Sequence, residues 1–302
     1  MSTPPAASNS AAAPNGSLVI RAAPALFVIL WSTGFIVSKF GALQASPLTF
    51  LEWRYAIALT LLLPIIAFSR AAWPGSAVLT GHIAVAGVLV HAGYLAGVWS
   101  AIYFGMSAGL AALIVGLQPV LTALAGPWIG ERIGARQWVG FVLGFVGVAL
   151  VLGNRITLTG LSGTSIALSI MALFSITAGT LYQKRFCPTF DLRTGALVQY
   201  AAAFVVTLPF AVFAEDTRMD WGLPLLFALG WSAVVLSFGA IFLLFLLIRH
   251  GAATRVVGLF YLTPPVTALM AWVLFGESLS GLAIIGMAVA VLGVALVVRK
   301  AV

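Results

Sequence analysis

Long runs without a single Asp, Glu, Lys or Arg follow one another along this chain. Residues 22–38, 221–248, 256–276 and 278–298 contain none, and neither does the stretch 71–130. About 20 apolar residues cross the ~30 Å hydrocarbon core of a bilayer as a helix, so the longest run holds two crossings joined by a short turn. Gly, Pro and scattered charges punctuate the runs. They predict helices over 22–40, 48–68, 81–103, 107–129, 136–153, 162–182, 192–213, 222–248, 252–275 and 279–298. The connections are too short to hide a soluble domain. The expected fold is an all-α integral membrane protein of ten transmembrane helices, with the lipid bilayer as its solvent.

Composition agrees: 62% of residues are hydrophobic and 7% charged, against roughly 25% charged in soluble domains. The formal net charge is +8, but the basic residues form no run and no aromatic-interleaved patch, so no nucleic acid partner is expected. The single cysteine, Cys187, excludes an internal disulfide and a multi-cysteine metal site. His82, His91 and His250 show no ligand spacing with it, and no metal or cofactor is expected. Residues 1–20 are rich in Ala, Ser and Pro and lack the basic start of a secretory signal. They read as a disordered tail.

Internal repetition gives the pattern its meaning. A shift of 145 lays Lys39 on Lys184, Tyr55 on Tyr200 and Pro64 on Pro209. A shift of 146 lays Gly105 on Gly251, Pro119 on Pro265, Gly130 and Glu131 on Gly276 and Glu277, and Gly140 on Gly286. The same shift lays the run GVALV at 147–151 on GVALV at 293–297. Two repeats are therefore expected, over 21–154 and 155–302, each of five helices. Five is odd, so the second enters the membrane from the opposite side, a design that puts a binding site at the midplane between the halves. The positive-inside rule then assigns eleven of the fifteen Lys and Arg to the inner side, leaving Lys39, Arg54, Arg155 and Arg218 outside. Both termini are expected in the cytoplasm.

The two copies of Pro-x11-Glu (Pro119 to Glu131, Pro265 to Glu277), each with Gly before the Glu and a Gly-rich helix after it, resemble the EamA-type domain of the drug/metabolite transporter superfamily. The segment Phe50-Leu51-Glu52-Trp53-Arg54 is similar to the Arg-bearing second helix of that family. This resemblance, over about 22–300, implies an inverted ten-helix repeat that exports or exchanges a small metabolite across a bacterial inner membrane by alternating access. In helix count and in its aromatic, nearly charge-free interior, the chain resembles the YddG-type aromatic amino-acid exporters.

Polar groups inside spans are functional candidates, because burying them in lipid is costly. His91 and Tyr94 are three apart and share a helix face. Gln118 precedes Pro119, which frees a backbone carbonyl beside it. Trp31, Ser32, Trp99, Ser237 and Tyr261 complete the set that could line a midplane cavity, rings offering stacking surface and polar tips orienting a zwitterion. Each also has a plainer reading. His91 can donate to a neighbouring backbone, Ser32 and Ser237 can join helices, and Trp31, Trp99 and Tyr103 can anchor at the lipid interface. Lys39, Glu52 and Arg54 form a charge cluster near the outer ends of helices 1 and 2. The simplest arrangement is a Lys39–Glu52 contact with Arg54 snorkelling, as a gate or a structural pair. Glu131 and Glu277 are expected to suit the N-termini of helices 5 and 10. The pairs Gly93/Gly97, Gly126/Gly130 and Gly140/Gly144 should permit close helix approach, and Pro64, Pro119, Pro209, Pro264 and Pro265 mark kinks or hinges.

Gly105 to Gly109 matches the hydrolase pattern G-x-S-x-G around Ser107, but as a turn between membrane helices it lacks the strand-to-helix elbow. Ser162, in the run GLSG at 160–163, with His250 as a base, is similar to an intramembrane protease serine without that fold. A channel would need a filter or a ring of like charges, which is absent. Among transporters, the lack of an acidic residue in helix 1 and of paired mid-depth cations leaves a neutral or zwitterionic solute, preferably with apolar or aromatic bulk; the resemblance implies amino acids including aromatic ones as the cargo, with another metabolite or a drug the alternative. Only His91 stands out as a titratable mid-membrane group, so facilitated export or exchange is expected, with proton dependence linked to His91 at most. A monomer already contains both halves.

Overall fold

Each apolar run forms a helix, and small polar residues start several of them. The computed structural model describes residues 15–41, 44–106, 108–153, 161–276 and 279–298. The helices are α1 (Asn15–Gly41), α2 (Pro47–Ser69), α3 (Ala77–Tyr103), α4 (Ala108–Val115 and Gln118–Leu124), α5 (Ala135–Leu152), α6 (Gly163–Phe186), α7 (Leu192–Ala214), α8 (Leu223–His250), α9 (Ala253–Gly258, a tight 3-10 turn Leu259–Leu262, then Thr263–Phe275) and α10 (Gly281–Val298). Among the described residues the only strand-like pairing is one bridge, Ala45 to Met219. Eight of these helices, α2, α3 and α5–α10, are long and apolar enough to cross a membrane, and shorter apolar stretches, Ala22–Gly34 and Leu110–Leu124, lie in α1 and α4. The first helix begins at Asn15, so residues 15–20 of the expected tail are helical, while 1–14 lie outside the described residues.

Caps explain the helix starts. Ser76 accepts from Leu79 N at 3.1 Å, Ser162 from Ser165 N at 3.0 Å and Asp191 from Arg193 N at 2.9 Å, each satisfying an orphan amide. The helices α2 and α9 have no such cap of their own and borrow one from the other half. Glu215, after α7, takes Leu48 N at 3.0 Å and Thr49 N at 2.9 Å. Glu131, after α4, takes Ala253 N at 2.7 Å and Thr254 N at 3.2 Å. The expectation that Glu131 serves helix 5 is thus corrected: its carboxylate meets the amide dipole of α9 instead. Glu277 lies outside the described residues.

Glycine sets the central crossing. A Cβ on Gly140 would lie 2.7 Å from Gly293 O, and one on Gly147 2.7 Å from Gly286 O. Reciprocally, Gly293 meets Gly140 O and Gly286 meets Gly147 O, both at 2.7 Å. Position 140 pairs with 293 and 147 with 286, so α5 and α10 run antiparallel, and the pairs exchange under the 146-residue offset. The helices α2 and α7 cross in the same manner: Thr49 faces Glu215, Glu52 faces Thr207 and Tyr55 stacks on Tyr200 with ring centroids 6.0 Å apart. The halves are therefore related by a two-fold axis passing between Tyr55 and Tyr200.

One punctuation signal acts differently from expectation. Gly126 and Gly130 form a turn rather than a packing face, because Gly130 takes φ 75° and nothing lies within 4 Å of its Cβ position. Pro64 and Pro209 sit inside helices that run on through them. Pro119 instead opens the second segment of α4, and Pro264 follows the 3-10 turn of α9, where a missing amide costs least.

Candidate functional site

The broken helices α4 and α9 face one another across a cavity of ≈ 50 Å3, room for a few waters at ~10–15 Å3 each. Trp31 (α1), Tyr94 (α3) and Gln118 (α4) line it from the first half, and Phe260, Tyr261 and Thr263 (α9) from the second. Gly144 on α5 makes this possible, since a Cβ there would lie 2.8 Å from Tyr261 Cε2; one edge of the tyrosine ring packs on bare backbone. Trp31 and Phe260 meet edge to face at 5.0 Å, with Phe27 behind them. The wall is mostly apolar, with a few polar points. Gln118 donates to Thr180 Oγ1 at 3.3 Å. The Tyr261 hydroxyl and Thr263 Oγ1 are buried and have no hydrogen-bond partner among the described residues. Buried polar atoms are seldom left so, and both residues line the cavity.

The structure brings Trp31, Tyr94, Gln118 and Tyr261 together and places the other expected residues elsewhere. Ser32 donates to Val28 O at 2.7 Å and Thr263 O at 3.3 Å, joining α1 to α9. Trp99 stacks on Phe50 at 4.8 Å beside Val37 and Leu225. Tyr103 is exposed at the end of α3, as an interface anchor would be. Phe260 and Thr263 were not singled out from sequence, although their place beside Tyr261 and Pro264, in a helix about to break, is a signal.

His91 and Ser237 belong to a second polar centre, on the two-fold axis. Tyr55 donates to His91 O at 3.0 Å and Tyr200 to Ser237 O at 2.9 Å. Both acceptors lie in π-helical segments, Val88–Gly93 within α3 and Ser232–Ala240 within α8. A wide turn departs from the regular i→i−4 ladder, and the tyrosine hydroxyls add a bond to carbonyls there; His91 O also accepts from Tyr94 N. Side chains repeat the symmetry. Arg54 Nε donates to Ser237 Oγ at 3.1 Å, and its counterpart Gln199 pairs with His91 Nε2 at 3.3 Å. Gln199 also donates to Gln183 at 3.1 Å, which leaves its carbonyl oxygen to accept from His91 Nε2–H. His91 Nδ1 has no partner among the described residues.

The charge cluster is rearranged relative to expectation. Arg54 does not snorkel; it is 4% exposed and points between the halves. The Thr207 hydroxyl donates to Glu52, which is also buried. The side chain of Lys39 lies outside the described residues, as does Ser107. The hydroxyl of Ser162 is occupied in capping α6, and His250 Nδ1 lies 2.9 Å from Leu246 O. Outside the spans, Arg193 holds the Asp191 carboxyl down at about 2, and burial pushes the Cys187 thiol up to about 11, so it stays protonated.

The model of the EamA-like transporter family matches residues 21–153 and again 163–299. The chain belongs to this family. Its members are transporters rather than enzymes, so the serine motifs carry no chemistry. Similar proteins include a "Probable amino-acid metabolite efflux pump" of Salmonella typhimurium (strain LT2), 26% identical over 86% of this chain and 88% of that protein. Another is the "Uncharacterized inner membrane transporter YedA" of Escherichia coli (strain K12), 26% identical over 89% of this chain and 87% of its own length. A crystal structure of 18% sequence identity superposes with a TM-score of 0.78, covering 92% of this chain and 96% of that one; the fold is shared. This family member is thus a multi-pass inner-membrane transporter for a small molecule.

Proposed function

We propose that the protein moves amino acids, aromatic ones among them, out of the cell or in exchange, by alternating access through ten spans with both termini in the cytoplasm. The observation that carries this reading is the cavity between α4 and α9. It is walled by residues of both halves, among them Tyr261 and Thr263, whose buried side-chain oxygens have no partner among the described residues. In this role Trp31, Tyr94 and Phe260 offer aromatic faces, while Gln118, Tyr261 and Thr263 orient polar groups. Counting α1 and α4 as crossings rests on their apolar cores and on the repeat partners α6 and α9, both of spanning length. The eleven-to-four distribution of basic residues supports the orientation. The breaks in α4 and α9 and the glycine crossing of α5 with α10 are places where the halves can rock. The name of the Salmonella relative favours amino-acid metabolites. Proton dependence, where present, rests on His91, whose Nδ1 has no hydrogen-bond partner among the described residues.

Reconstitution in liposomes tests the reading. Labelled phenylalanine, tryptophan, leucine and threonine should show saturable counterflow. Linear, unsaturable flux would make the protein a pore, and saturable flux of an unrelated drug with none of amino acids would replace the cargo. Proton-driven flux that persists in His91→Ala would remove the histidine from coupling.

A further inference from the structure

The two-fold centre contains its own control for what its charge is for. Arg54 and Gln199 occupy equivalent positions on α2 and α7, and each reaches across the axis to the π segment of the other half, to Ser237 and His91 respectively. A neutral glutamine therefore suffices to make this cross-link. The positive charge of Arg54 adds nothing to it and costs desolvation, since the side chain is 4% exposed. Among the described residues it forms no salt bridge; the ion pair they contain is Arg193–Asp191. Glu52, two residues away on the same helix, takes its hydrogen bond from Thr207 instead, and residues two apart do not face each other on a helix. A buried guanidinium whose hydrogen bond goes to a neutral hydroxyl is a seat for an anion.

We infer that Arg54 receives the carboxylate of the transported solute when it moves between the halves, making the cargo a monocarboxylate-bearing molecule with an apolar body. This rests on the transport reading above for its setting, and it assigns to a single residue the choice of a carboxylate over an equally bulky neutral or cationic solute. Ser237 holds the guanidinium while the site is empty and yields it to the carboxylate, which forms two parallel N–H···O bonds that a hydroxyl cannot.

The test compares phenylalanine with phenylalaninamide, which keeps the ring and the amine but lacks the carboxylate. In proteoliposome counterflow the full-length protein should prefer phenylalanine by about tenfold or more, the scale of one charge-assisted hydrogen bond. The Arg54→Gln variant copies the residue the other half uses and should keep its fold. It should lose that preference through a higher KM for phenylalanine, with phenylalaninamide transport unchanged; Arg54→Lys should retain part of it. Loss of both substrates in proportion, or an unchanged preference, would make Arg54 structural and overturn the inference. A binding measurement covers the case where neither compound is moved, which would refute the amino-acid cargo but not the arginine. Melting of the detergent-solubilised protein is followed with phenylacetate, phenylpropionate and their amides. A Tm rise with the carboxylates in wild type that is absent in Arg54→Gln supports the inference; no rise in wild type overturns it.

Discussion

Gly147→Ala puts a methyl group where α5 and α10 are already in backbone contact. Its Cβ would lie 2.7 Å from both Ala290 Cα and Gly286 O, well inside the ~3.5–4.0 Å of an ordinary carbon contact. Neither obstacle is the flexible end of a side chain, so no rotamer change relieves the clash, and the two helices must separate. Overpacking of this kind costs ~1–3 kcal/mol. Here separation at one point also loosens the Gly140–Gly293 contact, so the upper part of that range, about 2–3 kcal/mol, is expected. Gly230, inside α8, has nothing within 4 Å of its Cβ position, so Ala there should be neutral or stabilising by up to ~1 kcal/mol from helix propensity. Gly293→Ala should match Gly147→Ala, because the crossing is reciprocal. Reversible unfolding in bicelles, with the three variants side by side, measures the differences. A Gly147→Ala protein within about 0.5 kcal/mol of wild type, the scatter of a surface change, would refute the close crossing, and so would equal damage from Gly230→Ala.

Tyr261→Phe removes a buried hydroxyl that has no partner among the described residues, so stability should not fall and should rise by up to ~1–3 kcal/mol while KM in counterflow rises severalfold; an unchanged KM would take Tyr261 out of the cavity's polar recognition. Glu131→Ala uncaps α9 and should cost ~1–2 kcal/mol, seen as a lower Tm, whereas Glu131→Ala with an unchanged Tm would show that α9 needs no borrowed cap. Asp191 has its carboxyl lowered to about 2 from 3.8 by Arg193. The contribution of this group to stability is therefore complete above pH ~4 and lost as pH falls through about 2. Asp191→Asn should flatten that part of the Tm-against-pH curve, and a curve that keeps its slope there would place the acid sensitivity elsewhere. Ser162→Ala should lose ~1 kcal/mol of capping and keep transport in full; abolished transport in a folded variant would reopen a role for that hydroxyl.

The helices were legible because charges are costly in lipid and so mark its edges; the bounds of α2, α5 and α7 fall within one residue of those read from charge and Gly/Pro punctuation. The duplication was legible in Tyr55/Tyr200 and Gly140/Gly286, which prove to be contact residues of the two-fold relation itself. The π segments were not, because no residue type encodes a wide turn; His91 and Ser237 look like ordinary polar residues of continuous helices until the tyrosine hydroxyls reach their carbonyls. Arg54 was misplaced for a physical reason. Snorkelling is the default for a long cation near a helix end, and only a tertiary partner, Ser237, reverses it. Part of the cavity wall escaped notice because Phe260 and Thr263 carry no charge or motif, and their place in the wall follows from the 3-10 turn Leu259–Leu262 of α9.

The antiparallel glycine crossing has a genetic consequence. Under the two-fold relation position 147 touches 286 and 290 rather than its repeat counterpart 293. A lesion at 147 should therefore be rescued by second-site changes near 286 or 290, and one at 293 by changes near 140 or 144. Suppressor maps of the two halves should be mirror images read in opposite directions along the chain, the behaviour of an isologous subunit interface that has been fused into one polypeptide.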